Sequence, residues 1–136
     1  MRVYWEDTDA GGVVFYANYL KFFERARTEW LRALGVGQQA LRETTGAIFV
    51  VTDTRVRYRA PARLDDELSV TVQLQQLGTA SMTIVQQAWR MEGATHGATH
   101  GAPEVLLAEG EIRIGCVDHG TFRPRRIPIE ILHTLP

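Results

Sequence analysis

One cysteine, Cys116, is all that 136 residues offer, so no disulfide can close within the chain. No apolar run is long enough to cross a bilayer, and the first residues carry no signal-peptide pattern. The expected setting is therefore cytoplasmic, with no membrane insertion. Charge of one sign is missing too, because 15 Lys and Arg nearly cancel 16 Asp and Glu. Without a basic field nothing draws the chain to nucleic acid or anionic lipid, and small molecules or proteins are the expected partners. A Gly-x-Ser-x-Gly elbow is absent, as are the Gly-x-Gly-x-x-Gly and P-loop fingerprints, which argues against a serine hydrolase or a nucleotide site of those kinds. What the chain does have is a 45% hydrophobic content, ample for the core of a single domain over residues 1–136.

One segment is built for chemistry. Asp7-Thr8-Asp9-Ala10-Gly11-Gly12 sets two carboxylates on a glycine loop directly ahead of an apolar helix. A carboxylate beside a helix N-terminus lies near unpaired backbone N–H groups that can polarise a carbonyl while the carboxylate attacks it or activates water. That pairing points to acyl transfer. Gly11 and Gly12 would let a substrate approach the backbone closely, and Val13 follows them as a further candidate contact. Read alone, Asp9 could equally cap the turn before the helix.

Arg2 to Glu6 reads as a short strand, since Val3, Tyr4 and Trp5 favour extended backbone. From about Ala17 to Leu34 the apolar residues fall at helical spacing over a broad stripe, and Gly35 stops the helix. A second helix is predicted over Gln38 to Thr44. After Gly46 the period changes to two. Strands are predicted over Ile48 to Tyr58, Glu67 to Gln75, Ser81 to Met91 and Val105 to Val117, with a short helix from Ile129 to Leu132. In the third of these the apolar phase slips between Ile84 and Val85, which predicts a bulge or a change in which face is covered. In the fourth, Ala108, Gly110, Ile112, Ile114 and Cys116 share one face, and the small residues would admit a helix close to the sheet. One helix and five strands predict an α+β fold with an antiparallel sheet around that helix. Its long edges predict pairing with a second copy.

The run Val3-Tyr4-Trp5-Glu6-Asp7-Thr8-Asp9-Ala10-Gly11-Gly12-Val13-Val14, with Tyr16-Ala17-Asn18-Tyr19 and Phe23-Glu24-Arg25-Ala26-Arg27-Thr28-Glu29, resembles the hotdog-fold acyl-CoA thioesterases. Within them it is most similar to the YbgC-like branch, related to 4-hydroxybenzoyl-CoA thioesterase. Tyr58-Arg59-Ala60-Pro61-Ala62-Arg63-Leu64-Asp65-Asp66, Gly78-Thr79-Ala80-Ser81 and Arg123-Pro124-Arg125 extend the resemblance over most of the chain. It implies a hotdog fold with a five-stranded antiparallel sheet wrapped around one long helix. It further implies hydrolysis of an acyl-CoA thioester to free acid and CoA, with no metal and no cofactor beyond the CoA of the substrate. Asp9 falls on the catalytic carboxylate, as nucleophile or general base, and the backbone N–H of Tyr16 or a neighbour on the carbonyl-polarising donor. Tyr16 stands where such sequences often have His. A non-catalytic acyl-CoA-binding module and a hotdog hydratase or dehydratase are the alternatives. Related proteins also connect with acyl carrier protein, and a homodimer or a tetramer of dimers is the expected assembly.

Coenzyme A ends in phosphates, so cationic side chains are expected at the mouth of such a site. Arg59, Arg63 and Arg123 are candidates, with Arg125 and Arg126 the foremost. Thr79 and Ser81 are candidate substrate contacts through the same resemblance. Asp7 is read as shaping the loop, and Cys116 as core. His96 and His100, four apart within a Gly-Ala-Thr-His tandem repeat, fall in a loop and are not read as a metal pair.

Overall fold

A computed structural model describes residues 1–91 and 103–136. His96 and His100 of the tandem repeat lie outside the described residues. A 3-10 turn at Trp5–Asp7 precedes helix α1 (Asn18–Ala33) and helix α2 (Gln38–Thr45). Strands β1 (Ala47–Tyr58), β2 (Leu68–Val70), β3 (Gln73–Leu77), β4 (Ser81–Met91) and β5 (Pro103–Asp118) follow, and helix α3 (Ile129–Leu132) comes last. The sheet runs β1-β5-β4-β2, with β3 also on β4. Both β2 and β3 pair antiparallel with β4. Arg59 N–H reaches Leu107 O while Thr52 Oγ1 reaches Arg113 O, so residue numbers fall on β5 as they rise on β1. This is the five-stranded antiparallel α+β architecture of a hotdog fold.

The chain divides into two compact units, and α1, β1, β4 and β5 each run from one into the other. In the unit formed by Met1–Ala26, Val56–Thr71 and Gln86–Gly110, the first turns of α1 bury Tyr19, Phe22 and Phe23. Leu68, Ala88, Leu107 and Ala108 bury from the strands of the same unit. Each aromatic side chain so buried contributes about 1.5–3 kcal/mol. Gln86 also lies in this core, and its Nε2 donates to Phe23 O at 3.0 Å and to Thr71 O at 3.4 Å. In the unit formed by Arg27–Arg55, Val72–Val85 and Glu111–Pro136, the core holds Leu31, Met82, Ile84, Ile112, Ile114, Cys116 and Ile131. Among the described residues no helix is long and apolar enough to cross a membrane.

Three local expectations are corrected. Arg2 to Glu6 is not a strand: Arg2 makes one bridge to Glu67, and the Asp7 carboxylate takes the Tyr4 N–H at 2.9 Å, which winds Trp5–Asp7 into a 3-10 turn. Glu67 to Gln75 is not one continuous strand. It breaks between Val70 and Gln73, where the Thr71 carbonyl turns to the Gln86 side chain. The phase slip on β4 is absent as well, since Met82, Ile84, Gln86 and Ala88 are buried in strict alternation. The register shift sits on the partner strand, between Leu74 and Gln76.

Candidate active site

Asp9 opens a hairpin. Its N–H donates to Val13 O at 2.9 Å, its carbonyl accepts the Gly12 N–H at 3.0 Å, and Thr8 bridges Val14. Ala10, Gly11 and Gly12 form the three-residue loop, closed by Gly12 at φ 81°, the left-handed conformation that such hairpins require. Within this loop Asp9 Oδ1 accepts the Gly11 N–H at 2.8 Å and the Val13 N–H at 3.4 Å. Oδ2 has no hydrogen-bond donor among the described residues, and the side chain is exposed. The carboxylate is thus held by one oxygen and presented by the other. Gly11, Gly12 and Val13 belong to the same small structure as Asp9.

Asp7 ties this hairpin to the helix. Its carbonyl accepts the Phe15 N–H at 3.0 Å and the Asn18 Nδ2 at 2.8 Å, so the first residue of α1 is fastened two residues before Asp9. The Asp7 side chain is buried, with Oδ2 on the Tyr4 N–H and Oδ1 without a partner among the described residues. At the helix start, Asn18 N–H donates to Phe15 O and Leu20 N–H to Ala17 O. The N–H groups of Tyr16 and Ala17 have no acceptor among the described residues. They lie immediately ahead of α1, where the helix dipole favours negative charge.

Val14, Tyr16, Tyr19, Tyr58, Arg59, Ala60 and Pro61 line a cavity of ≈ 320 Å³ beside this helix start. Three of these seven are tyrosines, and Tyr58 meets Tyr16 and Tyr19 edge to face, with ring centroids 6.2 and 5.5 Å apart. Val14 continues the hairpin strand into the cavity wall, whereas Asp9 stands outside that wall. Arg59 is paired, its Nε and Nη2 donating to Glu109 Oε2 at 3.1 and 2.9 Å. Tyr58 had no assigned role in the sequence. Its only signal there is an aromatic at the end of a strand ahead of Arg59-Ala60-Pro61, and the partner that gives it meaning is 42 residues away.

Arg63, exposed and bridged to Val13 through its backbone, lies in this same unit, whereas Thr79, Ser81, Arg123, Arg125 and Arg126 lie in the other. Thr79 and Ser81 flank the β3–β4 turn, where Gly78 N–H donates to Ser81 O at 2.7 Å and Ile127 N–H to Thr79 O at 2.9 Å. Arg125 Nη1 donates to Thr45 O at 2.6 Å, at the C-terminal end of α2, with Asp118 Oδ1 3.8 Å away. Arg126 is exposed. Cys116 is buried, which pushes its thiol pKa up against the pull of Arg125, and its Sγ lies 3.8 Å from Arg126 O. Among the described residues no cluster of three or more His, Cys, Asp or Glu is arranged to hold a metal ion.

The antiparallel sheet that carries this hairpin and helix has the strand order of a hotdog fold. Residues 3–135 match the Thioesterase-like superfamily, and the chain belongs to it. The acyl-CoA thioester hydrolase YbgC of Escherichia coli is 42% identical over 132 residues, covering 97% of this chain and 90% of that one. The acyl-CoA thioesterase YbgC of Haemophilus influenzae is 39% identical over 131 residues, covering 96% and 88%. The crystal structure of a probable thioesterase from Bartonella henselae aligns with a TM-score of 0.80 at 31% identity, over 94% of this chain and 95% of that one.

Proposed function

We propose that this protein hydrolyses acyl-CoA thioesters to a free acid and coenzyme A, with Asp9 as the reacting carboxylate. The observation that carries the proposal is Asp9 itself: Oδ1 is pinned by the Gly11 N–H, and Oδ2 is left open on a hairpin fastened to the start of α1. The thioester oxygen is taken to sit on the N–H groups of Tyr16 and Ala17, where the helix dipole favours developing negative charge. A thiolate leaves readily, so one carboxylate with two amide donors suffices.

Two routes share this geometry. In the nucleophilic route Asp9 Oδ2 bonds to the carbonyl carbon, the C–S bond breaks, and water then cleaves the mixed anhydride. In the general-base route Asp9 takes a proton from water as that water attacks, and the thiolate leaves with the same oxyanion stabilised. Gly11, Gly12 and Val13 are proposed to border the thioester. Thr79, Ser81, Arg125 and Arg126 are proposed contacts for the rest of the substrate, Arg126 ahead of Arg125 because Arg125 Nη1 already holds Thr45 O. Assembly is proposed to be a homodimer or a tetramer of dimers, motivated by β1 at the sheet edge, and acyl carrier protein is a proposed alternative carrier of the acyl group.

The test is a steady-state screen over aliphatic and aromatic acyl-CoAs with Asp9→Asn as the control. The proposal expects turnover by the parent and a fall in kcat of about a hundredfold or more in the variant. Equal rates for the two proteins would remove Asp9 from the reaction, and no turnover on any thioester would remove the activity.

A further inference from the structure

The peptide group joining Tyr16 to Ala17 is held from outside the helix. Helix α1 begins at Asn18, so the first carbonyl its ladder can take is that of Ala17, and the Tyr16 carbonyl lies one residue ahead of it. Leu20 N–H donates to Ala17 O at 3.1 Å, and Asn18 N–H donates to Phe15 O at 2.8 Å, both tight three-residue bonds. Neither bond engages the Tyr16 carbonyl. The Tyr58 hydroxyl does, donating to Tyr16 O at 2.9 Å from the last residue of β1. Edge-to-face contacts with the rings of Tyr16 and Tyr19 fix the direction of the Tyr58 ring.

We propose that Tyr58 is a positioning residue for an oxyanion donor, its hydroxyl anchoring the Tyr16 carbonyl and so aiming the N–H of Ala17. This rests on the reading above that the Tyr16 and Ala17 amides receive the thioester oxygen. The Tyr16 C=O and the Ala17 N–H are opposite ends of one planar group, so fixing the first fixes the second. A hydrogen bond accepted by the carbonyl also polarises the peptide and strengthens its N–H as a donor. With the hydroxyl removed, the Tyr16 carbonyl is free to turn, and the Ala17 N–H turns with it. Burial, with the Tyr16 phenol adding to it, pushes the Tyr58 pKa up and keeps the proton on the oxygen. Tyr58 acts through the peptide rather than on the substrate.

Two variants test this on the full chain. Tyr58→Phe keeps the ring and removes the donor, and is expected to lower kcat about tenfold while KM for the acyl-CoA stays within about twofold. Replacement of Tyr58 by difluorotyrosine keeps the ring contacts and lowers the phenol pKa. It is expected to add a falling alkaline limb to the kcat–pH profile, because a phenolate cannot donate to a carbonyl. An unchanged kcat in Tyr58→Phe overturns the inference, as does a rise in KM alone, which would make Tyr58 a binding contact. A kcat–pH profile for the difluorotyrosine protein that matches the parent also overturns it, and this variant decides even where Tyr58→Phe does not fold. Turnover by the parent with any of these results fails the inference alone, whereas a parent inactive on every acyl-CoA fails the thioesterase reading with it.

Discussion

The main-chain N–H of Gly11 donates to Asp9 Oδ1 at 2.8 Å, and a methyl group added to Gly11 would meet that same oxygen at 3.2 Å. Donor and potential obstruction thus converge on one atom. Gly11→Ala is expected to push the carboxylate aside and lower kcat about tenfold, since small misplacements of a reacting group carry large kinetic penalties. Its melting temperature should stay near the parent's, because Gly11 is not among the positive-φ glycines. Gly12→Ala should behave in the opposite way. A side chain there meets nothing within 4 Å but must adopt φ 81°, so a loss of about 1 kcal/mol in urea unfolding is expected.

Gln86 joins the interior of α1 to the break between β2 and β3 through Phe23 O and Thr71 O. Gln86→Leu fits the apolar side of β4 in volume but removes the donor from two inward-facing carbonyls. Unfolding in urea should show a loss of about 1–3 kcal/mol. A variant as stable as the parent would mean that both carbonyls find other donors.

Asp118 is held in its charged form first by the Gly120 N–H and then by the Thr121 N–H; desolvation opposes them, and His119 and the Thr121 hydroxyl add lesser support. Its pKa is therefore lowered from the usual carboxylate value. A depressed folded-state pKa stabilises the fold above the unfolded-state value and loses that contribution as pH falls through the folded-state value. Asp118→Asn should melt below the parent at pH 7, and the gap should close as pH drops below about 4. Melting curves across that range check both halves, and a gap that widens in acid would reverse the sign.

Arg125 and Arg126 adjoin in sequence and differ in engagement. Arg125 Nη1 caps the end of α2 through Thr45 O, while Arg126 projects from the surface. Arg125→Ala is expected to lower the melting temperature. Arg126→Ala is expected to raise KM for acyl-CoA several-fold at low ionic strength, about threefold or more, with the difference shrinking in high salt. Equal KM values for parent and Arg126→Ala would take that arginine out of the substrate contacts.

The long periodic elements were legible in the sequence because nothing competes with their periodicity. The helix predicted from Ala17 to Leu34 is found at Asn18–Ala33, and Ser81–Met91 is found with those bounds. Legibility failed where a side chain captures backbone groups. Asp7 takes the Tyr4 N–H and converts an apparent strand to a 3-10 turn, which β propensity at Val3, Tyr4 and Trp5 cannot reveal. Gln86 failed in the other direction, since a polar residue at a core position looks like a slip of phase until its carbonyl partners are seen. For the site, a glycine loop ahead of the helix was readable, and the family resemblance supplied the expected role of Asp9, but the closing of Asp9 to Val13 into a hairpin was not, because it rests on backbone bonds between Asp9 and Val13. Tyr58 was not readable, because its hydrogen bond spans 42 residues and ends on a carbonyl just ahead of the helix.

The position of Tyr58 at the end of the 12-residue strand β1 constrains how the gene can change. Side chains alternate across a strand, so one codon gained or lost within Ala47–Tyr58 would turn Tyr58 to the opposite face and present a neighbour to the Tyr16 carbonyl. Substitutions at the exposed positions Thr52 to Arg55 leave that parity untouched. Along β1 the spelling can drift while the count of letters is held.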